Sequence, residues 1–215
     1  MRLLALTLAL AVPLAAHAQS DDGVYRRWDT DLAVAIGVGG GAVFQGDRTD
    51  ASLVVETRLR IIDAAGPVAS YRWAPDAGGQ LFLGIELRPL WPALFLIDSP
   101  TRIEWLDLLI QSFGVELGAV ILPLGDPSGV DVDRGVALAI GLALEIPLVV
   151  PSRMRGAARG LFLRLAARRV DATVAFRGTP DEVDLSEWSV TATLQLSLGA
   201  GVGAIREPPR YRADR

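Results

Sequence analysis

Nine charged residues recur inside stretches that otherwise alternate between bulky apolar and small side chains. Glu56, Arg58 and Arg60 share one parity of the run that carries Leu53, Val55, Thr57, Leu59 and Ile61 on the other. Glu86 and Arg88 oppose Leu81, Leu83, Ile85 and Leu87, and Glu116 lies among Gly114 and Gly118. Glu145 sits on the small-residue parity of Gly135 to Pro147, and Arg164 and Arg168 face away from Leu161, Leu163 and Leu165. Residues two apart on a strand share a face, so each charge belongs to the less greasy face of a strand. Carboxylates and guanidiniums gathered on one side could carry protons or ions, or supply acid–base groups. They could also pair with one another as a structural plug, because a buried ion is tolerated only when paired and hydrogen-bonded. No two of the carboxylates have a catalytic spacing, so the plug is the expectation.

Other chemistries lack their residues. The chain has no cysteine, which removes disulfides, thiolate metal sites and cysteine nucleophiles. The one histidine is His17, in a segment expected to be removed, so imidazole bases and histidine zinc sites are not expected in the mature chain. Gly37-Val38-Gly39-Gly40-Gly41 resembles a phosphate loop only superficially: no helix follows it and the chain has no lysine. Asp126, Asp131 and Asp133 lack the spacing and distal glutamate of an EF-hand. Ser186, Ser189 and Ser197 have no base beside them. The protein is therefore expected not to be an enzyme, and no cofactor or metal is expected. The formal net charge of -4 comes without a basic patch interleaved with aromatics, so nucleic acid is not an expected partner.

The elements that position the nine charges follow from the alternation. Arg2, the apolar run Leu3 to Leu14 and Ala16-His17-Ala18 form an export signal. Cleavage is expected before Gln19, and N-terminal sequencing of the mature protein checks it; a product beginning at Met1 would refute it. Residues 1–18 are thus read as signal, 19–28 as a lead-in, 29–203 as one barrel domain and 204–215 as a polar tail. Strands are expected at Asp29 to Phe44, Leu53 to Ile61, Val68 to Trp73, Gln80 to about Trp91, Ser112 to Leu122, Gly135 to Pro147, Gly160 to Phe176 and Ser186 to Gly203. The longest alternation runs through Trp188, Val190, Ala192, Leu194, Leu196 and Leu198. Gly66-Pro67 is read as a breaker between strands. Leu124 to Arg134 and Arg177 to Glu187 read as acidic loops, and Pro151 to Arg159 as a basic turn. Pro92 to Gln111 breaks the rhythm: Ile103, Leu106, Ile110 and Phe113 recur at helical spacing, with Glu104, Asp107 and Gln111 off that face. A short amphipathic helix is expected there, capped by Ser99 or Thr101. Its apolar stripe needs cover, at the periplasmic interface or over the barrel mouth.

About eight such strands joined in sequence can close into an up-and-down antiparallel barrel, an all-β fold without edges. Which side is wet decides the setting. A greasy face turned inward makes a soluble periplasmic or secreted lipocalin-like barrel that binds an apolar ligand. The same face turned outward makes an outer-membrane barrel in contact with lipid. Two features favour lipid. The opposite faces of the first, sixth and last strands are Ala, Gly, Ser and Thr, a poor water-facing surface that suits a narrow interior. Aromatics also gather at strand ends, namely Trp28, Phe44, Tyr71, Trp73, Trp91, Phe176 and Trp188, as membrane-interface girdles do. In architecture the chain resembles the small eight-stranded outer-membrane barrels of the OmpA/OmpX type, from about Asp29 to Gly203. That resemblance implies a membrane-spanning barrel of structural or small-scale transport role. One departure is that the last strand ends in Gly and Val rather than on an aromatic, and the chain continues to Arg215.

Overall fold

The computed structural model describes residues 32–61, 63–76, 78–90, 101, 103–124, 135–150, 158–175 and 182–200. The expected signal, lead-in and tail lie outside these residues. So do 125–134 of the first acidic loop and 151–157 of the basic turn. In chain order the elements are β1 (Leu32–Gln45), β2 (Arg48–Ile61), β3 (Ala65–Ala74), β4 (Gly78–Leu87), α1 (Glu104–Gln111), β5 (Gly114–Leu124), β6 (Gly135–Val149), β7 (Ala158–Asp171), β8 (Thr173–Ala175), β9 (Glu182–Asp184) and β10 (Glu187–Ala200).

Eight strands close into an antiparallel barrel in the order β1-β10-β7-β6-β5-β4-β3-β2, and β8 and β9 pair separately as a small hairpin. The first and last barrel strands zip together from Leu32↔Ala200 to Phe44↔Trp188. Following paired residues once around gives the shear. The path Ile61, Ala65, Leu87, Val115, Leu142, Ala167, Val190, Ala42 returns to β2 at Ala51, ten residues from its start. At about 3.3 Å rise per residue and about 4.8 Å between strands, that shear tilts the strands by about 40° from the barrel axis.

The alternation sets the orientation of every wall. On β6, Val136 and Leu138 are each 75% exposed while Ala137 and Ala139 between them are buried. Ile36, Val38, Leu53, Val55, Leu83, Ile85, Leu117 and Leu194 are likewise exposed. The charged parity points inward. The greasy face is therefore the outer face, which sets aside the lipocalin-like alternative, because that reading needs an apolar interior.

Two ends can be distinguished. β1, β3, β5 and β7 run toward the end that carries the 125–134 connection and the β8–β9 hairpin (the loop end). The other end carries α1 (the helix end). The described strand ends that flank both expected acidic loops thus lie at one end, opposite α1 and the strand ends that flank the expected basic turn. Phe44, Tyr71, Trp73 and Trp188 are exposed and cluster toward the loop end. Trp28, Trp91 and Phe176 lie outside the described residues.

Several boundaries differ from expectation, for local reasons. β3 begins at Ala65, so Gly66-Pro67 lies inside a strand. Pro67 has no N–H to give, and the β2–β3 ladder is interrupted there, between Arg58↔Val68 and Ile61↔Ala65. A Cβ on Gly66 would fall 1.8 Å from the Leu59 carbonyl oxygen, so only glycine fits that approach. β4 stops at Leu87, where Arg88 N–H leaves the ladder to donate to Ala64 O at 2.8 Å. β6 passes through Pro147 to Val149, absorbing the proline at a register shift. The expected seventh strand breaks at Ala172, and its end becomes β8, paired with β9 inside the expected second acidic loop. Hydrogen bonds from the Ser186 side chain and backbone hold the exposed Asp184 carboxyl below its usual range.

Candidate functional site

The interior has two storeys. Toward the loop end, Val68, Phe82, Val120, Leu122, Ala137, Ala139, Val170 and Ala172 pack as an apolar cluster. Beside it a narrow polar cleft, lined by Ser70, Arg72, Gln80, Arg168 and Ser189, has room for about one water. Toward the helix end the lumen is filled by charge.

Glu145, Arg58 and Arg164 are the hubs of that charged storey. Arg58 Nη1 donates to Glu86 Oε2 at 2.8 Å and its Nε lies 3.1 Å from Glu56 Oε1. Its Nη2 reaches both Glu145 and Gln195. Glu145 also takes Arg88 Nη2 at 2.6 Å and Arg60 Nη1 at 3.4 Å, and Arg164 Nη1 stands 3.7 Å away. Arg88 Nε turns back to Glu86 at 3.2 Å. Gln195 Nε2 donates to Glu56 at 2.9 Å and to Thr193 Oγ1 at 3.1 Å, tying β10 into the same web.

The register explains why Arg164 is needed. Glu86 on β4 pairs directly opposite Glu116 on β5, and like charges in that position repel. Arg164, entering from β7, contacts both: Nη1 lies 3.4 Å from Glu86 and Nη2 reaches Glu116. Its Nε lies 3.0 Å from Glu56. Arg168 closes the top of the web. It gives Glu116 Oε2 two donors, Nε at 3.1 Å and Nη2 at 2.7 Å, sends Nη1 to Ser70 Oγ at 2.9 Å, and stacks 3.8 Å from the Phe82 ring centroid. Glycines make the space. A Cβ on Gly114 would fall 2.8 Å from Glu86 Oε1, and one on Gly37 would fall 2.5 Å from Gln195 Cγ.

All nine charged residues named from the sequence thus face the lumen and lie in one ion-paired web. Four further groups join the web and two more form a separate ion pair; none of the six was singled out from the sequence. Asp63 pairs with Arg60 at 3.3 Å at the helix end, and Gln195, Thr193 and Ser70 supply neutral partners. Arg72 pairs with Glu187 across the lumen toward the loop end. Arg72 and Glu187 share the inward parity with Ser70 and Ser189 on their strands, so the signal was present in the alternation. Among the described residues, no group of three or more acidic side chains is placed to hold a metal ion.

The helix departs from expectation in its cap. Ile103, not Thr101, stands at the N-cap, and it makes no side-chain cap bond. Thr101 instead gives its N–H (2.9 Å) and hydroxyl (2.7 Å) to Asp107 Oδ1. Asp107, Leu108, Gln111 and Ser112 are buried, while Ile103 is 48% exposed. Trp105 Nε1 donates to Pro147 O at 2.7 Å, and the Ser112 hydroxyl accepts the Glu145 N–H at 3.0 Å. These bonds fasten α1 to β6.

No family model matches the chain, and no curated protein matches it. Solved structures do. The outer membrane protein OprG from Pseudomonas aeruginosa is similar at 10% identity, over 80% of this chain and 98% of that one, with a TM-score of 0.44. Neisserial surface protein A (NspA) is similar at 10% identity, over 80% and 98%, with a TM-score of 0.43. The outer membrane protein AlkL, solved in DMPC bilayers, is similar at 12% identity, over 89% and 99%, with a TM-score of 0.37.

Proposed function

We propose that this protein is a non-enzymatic barrel of the Gram-negative outer membrane, in contact with lipid, with a structural or small-scale transport role. Its lumen is sealed by the Glu/Arg web. One observation carries the reading: the wall is apolar outside and charged inside, the reverse of a water-soluble barrel. Water does not favour a continuous outer face of Val, Leu and Ile, whereas lipid requires one, with every backbone group paired in a closed sheet. A strand of 14 residues such as β7, tilted by about 40°, rises about 33 Å, enough to cross an apolar band of about 25 Å. The aromatic cluster at the loop end, with Arg169 beside Trp188 at 5.7 Å, suits the polar–apolar boundary.

A heat-modifiability gel on the urea-washed membrane fraction tests this. The unheated protein should stay with outer membranes and migrate faster than the boiled sample. Recovery in the soluble periplasmic fraction would refute the membrane reading. The topology gives a second expected result. With β1 starting in the periplasm, tags inserted in 125–134 or 176–181 should be reached by antibody on intact cells. Accessibility only after the outer membrane is permeabilised would reverse the orientation.

A further inference from the structure

Helix α1 is amphipathic the wrong way round for a helix that serves the core. At about 100° per residue, Asp107, Leu108, Gln111 and Ser112 fall on one arc, and they are the buried residues. Ile103, Trp105, Leu106, Leu109 and Ile110 fall on the other arc. All five are apolar and none is fully buried, with Ile103 the most open. The polar arc is the one held by the barrel. Ser112 engages both backbone groups of Glu145, its Oγ lying 3.0 Å from the nitrogen and 2.9 Å from the oxygen, and Asp107 is fixed by Thr101. The fold therefore turns the polar side inward and leaves the apolar side only partly covered, with Ile103 exposed.

We infer that α1 is a membrane-interface element whose apolar arc enters the lipid leaflet at the helix end of the barrel, on the periplasmic side. This rests on the outer-membrane reading above. Continuity identifies the occupant. α1 packs on β6, and the outer face of β6 runs without a polar residue from Val136 to Leu148, itself 43% exposed. Leu90, at 40%, is a further exposed apolar side chain at that end. The Trp105 indole spends its N–H on the Pro147 carbonyl, so its ring stands at the rim, where amphipathic rings favour the headgroup boundary. The arc thus continues the lipid-facing wall past the end of the strands, as an interfacial helix does when its apolar face sinks about 5–10 Å into the headgroup–acyl boundary.

The chain has no cysteine, so single-site spin labels are clean probes. The full barrel would be refolded into phosphatidylcholine/phosphatidylglycerol vesicles with a label at Ile103→Cys, Leu106→Cys or Ile110→Cys. Leu138→Cys on the outer face of β6 is the lipid reference. Collision rates with oxygen and with a water-soluble nickel chelate are read at each site. The expected result is oxygen-dominated relaxation at all three helix sites, shallower than at Leu138. Nickel-dominated relaxation at the helix sites with oxygen dominance kept at Leu138 would overturn the inference and leave the barrel in the membrane. Nickel dominance at Leu138 as well would overturn the membrane reading itself. Low collision with both reagents, together with dipolar broadening, would mean a second copy covers the arc, and would also overturn the inference. Should a labelled variant fail the heat-shift gel, Leu109→Cys reports from the same arc.

Discussion

Glu145→Ala is expected to lower the urea unfolding midpoint of the folded barrel in vesicles more than truncation of any other lumenal carboxylate. Glu145 meets Arg58, Arg60, Arg88 and Arg164. Its loss takes a carboxylate from four guanidiniums at once in a site with almost no exposed surface, and among the described residues it leaves Arg60 only the 43%-exposed Asp63 as an ion-pair partner. Removing one partner of a buried pair costs about 3–5 kcal/mol, because the mate stays buried and uncompensated; water entering the lumen lowers that figure. Glu86→Ala and Arg88→Ala should move the midpoint in the same direction and by less. After Glu86→Ala, Arg58 and Arg164 keep other carboxylates, and after Arg88→Ala, Glu145 keeps other arginines. Arg48→Ala, exposed beside the β1–β2 turn, should stay within about 0.5 kcal/mol of wild type. The double change Arg58→Met with Glu145→Leu should recover part of the loss, since replacing both members of a pair with apolar groups avoids the stranded charge. The measurement is a set of chevrons or equilibrium urea curves followed by the heat-shift gel. If Glu145→Ala matches Arg48→Ala, the charged storey is hydrated and does not hold the wall together.

The walls of this barrel were legible because a strand buried on one face writes its orientation at period two, and this chain does so in β1, β2, β4, β6 and β10. Parity tells which side Glu86 and Glu116 face. It does not tell that they stand opposite one another, because their register is fixed by closure of the whole barrel with a shear of ten. The need for Arg164 between them was therefore invisible in the chain. The same limit hid the Arg72–Glu187 pair, whose members lie on β3 and β10 and meet only across the lumen. Proline and glycine misled in the opposite way. Gly66-Pro67 carries a turn composition, yet the ladder accommodates it at an interruption, a tertiary effect that local propensity cannot report. For α1 the periodicity correctly separated an apolar from a polar arc. Which arc the barrel holds was decided by Ser112 and Trp105 bonding the backbone of β6, contacts between residues more than 30 positions apart.

In planar bilayers the wild-type barrel is expected to show no steady single-channel current. Eight strands enclose an interior just wide enough for side chains to fill, and here long ones fill it. Arg58 from β2, Glu86 from β4, Glu145 from β6 and Arg164 from β7 meet near the axis, each 2% exposed or less. The cleft above them, with room for about one water, borders this tier at Glu56 and Arg168. An ion crossing the tier would have to displace charge-assisted hydrogen bonds that hold opposite walls together, and would meet guanidiniums or carboxylates already paired. Shortening the two arginines that bridge the walls should open it: Arg58→Ala with Arg164→Ala removes the bulk and leaves Glu56, Glu86, Glu116 and Glu145 in excess. Any conductance that follows should be small and cation-selective, measured as a reversal potential under a salt gradient. Large, stable currents from the wild type would refute the plug and move the favoured role to that of a pore. A silent double variant that still passes the heat-shift gel would mean that the remaining side chains of the storey close the lumen without the two arginines.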